Sequence, residues 1–397
     1  MELTQRIREL TALPGVSGQE DAVREYLLRA LQGREDCDCR VDALGNLIVK
    51  KTGRQTPAKS LLITAHMDEV GYLITYIEDS GLLRFAPVGG VSPEVMAGKR
   101  VYVGQKLLPG LVGLKAVHQQ KAAERTAPPE ADNLYIDIGA KSREEAEAAV
   151  TLGDRVSFAQ NYARFGEGFV RAKALDNRLG CAFLLELLLS ESEYSFTGAF
   201  TVQEENGCIG AKAAAGSVQP DIGLILETTT ASDLPGNDGA RKVSVVGAGP
   251  VISYMDRGTI YPRRLTQWLE QLAAEAGIPT QKKTLIAGGN EARTVQTAGA
   301  GSEVMGISVA CRYLHSQAVT ASERDIEDTL RLVRLAVSRA LIPEAPLVLD
   351  DALNRFDDAR LAAALALLET EPRQILLFTC QDREARLLNA CCHVIRE

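Results

Sequence analysis

The chain has 397 residues, 46 % of them apolar and 24 % charged, with a formal net charge of −8. That length exceeds one ordinary hydrophobic core, so more than one folding unit is expected. A mixed, mildly acidic surface argues against an electrostatic binder of nucleic acid or anionic membrane, and no apolar run approaches the roughly 20 residues of a membrane span.

The N-terminal "MELTQRIREL" carries no apolar signal core, so a cytoplasmic location is expected. Ser17 followed three residues later by Glu20 reads as a capping box opening a helix over about 18–32. "CRVDALGNLIVKKTG" reads as a hairpin turning at Gly45-Asn46, and "SLLITAH" as a short strand covered on both faces. From about 70 to 163, short β-rich pieces alternate with Gly and Pro turns, which predicts a compact β domain inserted into an α/β one. The helix pattern "DNRLGCAFLLELLLSES", the strand "TGAFTVQ", the Gly/Ala-rich helix "GAKAAAG" and the strand "DIGLILE" follow. Strands alternating with helices imply a largely parallel sheet with helices on both faces. The amphipathic "RDIEDTLRLVRLAVSRALI" closes this region near residue 343, and a tail of about fifty residues remains.

The eight cysteines are scattered without a CxxC pair of zinc-site spacing. Buried thiols in a reducing setting are the expectation. Histidine is scarce, only His66, His118, His315 and His393, so the context of each is informative. Open α/β sheets place ligands at the C-terminal ends of their strands. There the predicted strands deliver His66 and Asp68, Glu204 and Glu205, Glu227, and His315, while Asp176 precedes a helix. Imidazoles and carboxylates suit zinc, cobalt or manganese, and this many are too many for one open catalytic site. Two metals sharing a bridging carboxylate use them all. In "HMD", a carboxylate two residues beyond the histidine can fix its tautomer. Glu204 and Glu205 are adjacent, so on a strand they face opposite ways. One then binds metal while the other serves as general base, and a nearby cation is needed for two such charges to coexist.

"AHMDEVGYLI", "KALDNRLGC", "QEENGCIGA", "LETTTASDLPG" and "CRYLHS" occur in the order and contexts of the tetrahedral-type dinuclear metallo-aminopeptidases, which include glutamyl, leucyl and deblocking enzymes. The resemblance spans about residues 3–343, and "GKRVYVGQKLLPGLVGLKAVH" and "LYIDIGAKSREEA" resemble that family's inserted PDZ-like dimerisation domain. It implies an α/β fold: a zinc-peptidase-like three-layer sandwich with a mixed central sheet, formed by residues 1–69 and 164–343. Residues 70–163 are then the inserted β-rich dimerisation or lid domain, and 344–397 a C-terminal extension. It also implies two divalent metal ions per subunit, zinc or cobalt. His66, Asp176 and Glu227 hold one; Asp176, Glu205 and His315 hold the other, with Asp176 bridging. Glu204 falls on the general base and Asp68 on the residue that orients His66. Glu227 replaces the aspartate of many relatives, and "AGGNEA" (287–292), with Asn290-Glu291, departs from the usual Gly-Thr-Asp or Gly-Ser-Asp. Dimers building to a dodecamer are implied by the family alone.

Other residues carry weaker signals. His118 is expected to be structural or inter-subunit and His393 inert. Asp233 is either a near-site residue or a turn former. Arg312 and Tyr313 are expected in sheet packing, and Cys181 and Cys208 in packing beside the site. The tail "PLVLDDALNRFDDARLAAALALL…RQILLFTCQDREARLL" resembles the Walker B segment of SMC-like ATPases, with paired acids at Asp350-Asp351. No GxxxxGK[ST] phosphate loop occurs anywhere, so the tail reads as a non-catalytic appendage. The function expected is a metal-dependent aminopeptidase acting on short peptides, with no nucleic-acid or membrane partner. A deacylase of the same architecture and a catalytically silent scaffold are the alternatives. A preference for acidic N-terminal residues needs a basic pocket, for which Arg257, Arg263, Arg264 and Lys282 are the loose candidates.

Overall fold

The computed structural model describes residues 2–122, 127–237, 239–283, 285–339, 347–369, 375–379 and 381–387. The chain divides into two compact units, residues 1–341 and 342–397. In the first unit the strands are β1 (Cys37–Val41), β2 (Leu47–Lys51), β3 (Leu61–His66), β4 (Gly71–Ile77), β5 (Leu83–Val88) and β6 (Arg100–Val103). Next come β7 (Leu108–Leu114), β8 (Leu134–Asp137), β9 (Arg155–Phe158), β10 (Ala163–Phe165), β11 (Phe169–Ala172) and β12 (Phe196–Thr201). The series ends with β13 (Ile222–Thr230), β14 (Val251–Ser253), β15 (Gln281–Lys283), β16 (Glu303–Arg312) and β17 (Val319–Ser322).

The main sheet runs β1-β2-β12-β3-β13-β16-β17-β11-β10, with β14 joining β16 and carrying β15. Its centre, β12-β3-β13-β16, is parallel, and antiparallel strands flank it. Side chains alternate across a strand, and this pattern sorts the core into two layers. Ile63, Ala65, Leu224, Leu226 and Ile307 meet the helices Leu3–Ala12, Asp21–Leu31, Leu175–Leu189, Arg263–Glu275 and Glu323–Ser338 on one face. Leu62, Ala199, Ile225 and Val304 meet Ala211, Ala214, Ala292 and Val295 of two further helices on the other. The result is the expected α/β three-layer sandwich. Leu175–Leu189 is apolar around most of its circumference and buries Phe183, Leu184, Leu185 and Leu188, as a helix covered on several sides must.

Residues in β4–β9 form a separate closed barrel, ordered β4-β5-β8-β7-β6-β9. It has its own core of Tyr72, Ile74, Phe85, Val101, Val112, Ile136, Val156 and Phe158. Closure leaves no open sheet edge. The hairpin forms as β1–β2, its loop held by Asp42 Oδ1, which accepts from the backbone of Leu44, Gly45 and Asn46.

One local expectation fails. The helix begins at Asp21, and Ser17 does not cap it. The Ser17 hydroxyl instead donates to the fully buried carboxylate of Asp68 at 2.6 Å. A buried charge needs donors more than a helix end that retains solvent does, so the tertiary partner wins.

The second unit pairs β18 (Leu347–Asp350) with β19 (Ile375–Phe378) in parallel through the helix Asp358–Glu369, around Leu353, Leu361 and Leu365. Cys380, Cys391, Cys392 and His393 lie outside the described residues. Among the described residues no helix is long and apolar enough to cross a membrane.

Candidate metal centre

Four parallel strands end side by side and deliver the predicted residues to one edge. His66 closes β3, and Thr201 of β12 lies opposite it, so the turn after β12 sets Glu204 and Glu205 beside His66. Glu227 lies within β13, on the side of Ile225 by the alternation of a strand. His315 follows β16 in the left-handed region, with φ of 57°. Asp176 stands at the entrance of the helix Leu175–Leu189, where its backbone leaves helical angles. The helix that follows the acid pair packs directly on the strand it leaves. A Cβ on Gly210 would sit 2.3 Å from the Val202 carbonyl oxygen, so glycine alone permits this approach.

The ligating atoms form two groups, His66–Asp176–Glu227 and Asp176–Glu205–His315, each with its atoms within 4.8 Å of one another. His66 Nε2 lies 3.4 Å from Asp176 Oδ1 and 3.4 Å from Glu227 Oε1. His315 Nε2 lies 3.4 Å from Asp176 Oδ2 and 3.4 Å from Glu205 Oε2. Asp176 thus turns one oxygen to each group. Both imidazoles use Nδ1 elsewhere: His66 toward the Asp68 carbonyl at 3.1 Å, with the Asp68 carboxylate at 3.4 Å, and His315 toward the Gly90 carbonyl at 3.0 Å. With Nδ1 occupied by acceptors, Nε2 is the free ligand atom. The set is all oxygen and imidazole nitrogen, shared through one carboxylate, and it fits two divalent cations of the zinc–cobalt–manganese class.

Burying these carboxylates together without a cation is costly, and it displaces the groups from their ordinary ranges. Burial first, and then neighbouring like charges, push Glu204, Glu205 and Glu227 each up to about 8. Burial opposes charge on His315, but the Asp176 hydrogen bond and the charges of Glu205 and Asp176 prevail and lift it to about 10. His66 is likewise raised despite its burial, by Glu227, Asp176 and Asp68. Asp176 is buried too, yet the two imidazoles hold it well below the usual carboxylate range. In the absence of metal, protons supply the positive charge that this arrangement demands.

Asp68 does more than face His66. Its carboxylate accepts from Ser17 Oγ, from the Glu204 backbone N–H at 2.9 Å and from the Glu205 N–H at 3.1 Å. It therefore fixes the backbone of the acid pair. Behind it, Lys173 Nζ reaches Glu69 at 2.6 and 2.9 Å and the Leu13 carbonyl at 2.8 Å. Arg178 binds the carbonyls of Leu10, Leu13 and Met67.

The remaining candidates fall into place by their contacts. Asp233 takes a two-pronged pair from Arg312, at 2.8 and 2.7 Å; Tyr313 is half exposed. Cys181 is fully buried with Sγ 3.1 Å from the His66 carbonyl. His118 is exposed in a short helical turn. Lys282 pairs with Glu270 at 2.9 Å and Arg264 with Glu303, so two of the four basic candidates already have acidic partners. Glu20, read from the sequence as part of a capping box, accepts from the Gly18 N–H at 2.7 Å and the Gln203 N–H at 3.1 Å; sequence reasoning missed that tertiary contact and the role of Asn46, whose side chain clamps Val202 and Gly210. It also missed that the unusual Glu291 is fully buried and hydrogen-bonded to Thr201 beneath the site. The departure of Asn290-Glu291 from the usual loop pattern is the sequence signal at this position.

The family model described as M42 glutamyl aminopeptidase matches residues 45–332. The lysyl aminopeptidase of Pyrococcus furiosus is 30 % identical, over 83 % of this chain and 94 % of that protein. The glutamyl aminopeptidase of Lactococcus lactis is 31 % identical, over 80 % of this chain and 90 % of that protein. The fold superposes on the Pyrococcus horikoshii TET1 peptidase, which is described as assembling into a tetrahedron or a large octahedral shell, with a TM-score of 0.74, 33 % identity and coverage of 85 % of this chain and 99 % of that one. On the strength of a family match over most of its length, this chain belongs to the M42 glutamyl aminopeptidase family.

Proposed function

We propose that this M42-family peptide hydrolase is a two-metal aminopeptidase that releases the first residue of short peptides. The observation that carries the reading is the division of Asp176 between the two ligand groups. His66, Asp176 and Glu227 would hold one divalent ion and Asp176, Glu205 and His315 the other, with zinc or cobalt the best match to the donors. When bound, such a pair polarises a carbonyl oxygen and makes water acidic near neutral pH.

The protein's own groups do the rest. Asp68 pins the Glu204 backbone, so the Glu204 carboxylate stands at the site without entering either ligand group. Glu204 takes the proton of the attacking water and returns it to the leaving amine. Carboxylates at the site receive the α-ammonium group in this reading, which selects free N-termini. Val70, Phe158, Ala174 and Val319 line the cleft beside Asp176, Glu205 and His315 and limit water there.

Residues 1–69 and 164–343 carry the chemistry in this reading. Residues 70–163 form a dimerisation or lid domain, from which the Gly90 carbonyl already reaches His315. Dimers building to a dodecamer are in keeping with the tetrahedron or octahedral shell of the TET1 relative; a cytoplasmic location and a non-catalytic role for residues 344–397 complete the reading. The test is a panel of peptides with free N-termini and their acetylated twins, given to protein stripped of metal and then refilled with zinc or cobalt. Cleavage of the free forms alone, and only after refilling, is expected, and it ranks the preferred N-terminal residue. Cleavage of the acetylated forms overturns the reading in favour of a deacylase. No turnover despite bound metal overturns it in favour of a scaffold.

A further inference from the structure

We infer that Cys208 is a positioning residue for the general base: its thiol donates to Glu204 Oε1 and holds that carboxylate in the orientation in which its other oxygen faces the reacting water. This rests on the role proposed above for Glu204. The Cys208 Sγ lies 3.2 Å from Glu204 Oε1. Among the described residues it is the only hydrogen-bond donor recorded for the Glu204 carboxylate. Asp68 fixes the backbone of Glu204, but a glutamate side chain has three further rotatable bonds, and only a partner at its end can fix the carboxylate plane.

The geometry of Cys208 itself is set by the chain around it. Its φ is 57°, left-handed, at the mouth of the helix Ile209–Val218. Its N–H donates to the Glu204 carbonyl at 2.9 Å, and its own carbonyl accepts from Lys212 at 3.2 Å. Ile209 and Gly210 bond back to Gln203 and Val202. A non-glycine residue in this region costs conformational energy, and such strain persists where the surroundings over-determine it. The residue is 3 % exposed, so solvent competes little for the thiol. Burial also keeps the thiol protonated, with the charge of Glu204 adding to the effect. A thiol is a weak donor and takes no part in proton transfer here. Its contribution is orientation.

The experiment compares the parent with Glu204→Gln, Cys208→Ala and Cys208→Ser on one free-amine peptide at matched metal content. Cys208→Ala is expected to lower kcat at least about fivefold, with KM within about twofold, as loss of one hydrogen bond to a reacting group predicts. Cys208→Ser, which keeps a donor on a shorter arm, is expected to recover at least half of that loss on a logarithmic scale. A smaller loss in the alanine variant, a loss carried by KM, or no recovery in the serine variant overturns the inference. If Ala prevents folding, Cys208→Ser decides alone: kcat within about fivefold of the parent supports the inference and a larger loss overturns it. An inactive parent, or a Glu204→Gln variant of full activity, indicts the proposed function instead. A second readout needs no turnover. The infrared S–H stretching band that Cys208→Ser removes from metal-free protein should move to the position of a non-bonded thiol in Glu204→Ala. An unmoved band overturns the inference.

Discussion

Replacing Lys173 with methionine tests the buried frame behind the site. Lys173 and Glu69 are each about 2 % exposed at the side chain, and the ammonium sits 2.6 Å from Glu69 Oε1. Burial pulls Lys173 down to about 8, opposed by Glu69, so at neutral pH the ammonium is still largely charged. Methionine fills similar volume but strands the Glu69 carboxylate, with Arg178 Nη2 at 3.5 Å as its remaining cation. Breaking a buried pair in this way costs about 3–5 kcal/mol, and the residual Arg178 contact places this case near the lower end. Trp268, the single tryptophan, packs against the core of the first unit, so its fluorescence during urea unfolding reports on the relevant unit. Lys173→Met should lower the unfolding free energy by about 3 kcal/mol, and adding Glu69→Gln should restore only part of the loss, because it removes the stranded carboxylate but leaves buried Arg178 with carbonyl acceptors alone. A loss below about 1 kcal/mol, the scale of an exposed ion pair, would refute the reasoning.

Three further outcomes follow from the site. Glu204→Gln should reduce kcat by about 10²–10⁴-fold, the range for a lost general base, while metal content by atomic absorption stays at the parent value. Asp68→Asn replaces an acceptor with a group that also donates, against the N–H groups of Glu204 and Glu205; kcat/KM should fall about 10–100-fold, and unchanged kinetics would reject the anchoring role. In chelator, Glu204, Glu205 and Glu227 lie near 8 against an ordinary 4.5, and His315 near 10 against 6.5. The folded metal-free chain therefore binds more protons than the unfolded one across roughly pH 5–8, above which the lowered Lys173 offsets the raised His315, and its stability should fall as pH rises through that window. Urea midpoints at several pH values check this, and a midpoint that climbs from pH 6 to pH 8 contradicts it.

The layered α/β architecture was legible because short, continuously apolar runs alternate with helix-patterned stretches and leave few alternatives. "SLLITAH" has to be a strand covered on both faces, and β3 is buried along its whole length. The convergence of His66, Glu205, Glu227 and His315 was legible for a related reason. Each stands within or at the end of such a strand, and parallel neighbours share an edge. What escaped was set by tertiary partners. Ser17 and Glu20 have the spacing of a local capping box, yet their side chains serve Asp68 and Gln203 across the fold. Closure of β4–β9 into a barrel depends on the pairing of Tyr72 with Val156 and Leu73 with Arg155, residues more than eighty apart in the chain, which no local pattern encodes. Cys208 looked like packing because nothing in "ENGCIG" announces that the turn bends its thiol back onto Glu204.

The central claim is that one bridging carboxylate serves two metal positions. Its most direct test is the metal content of the parent, His66→Ala, His315→Ala and Asp176→Ala after dialysis against limiting zinc, read by mass spectrometry under native conditions. The account predicts two ions per chain in the parent, one in each histidine variant, and a loss at both positions when Asp176 is removed. A single ion in the parent, or an Asp176 variant that still holds two, would contradict it.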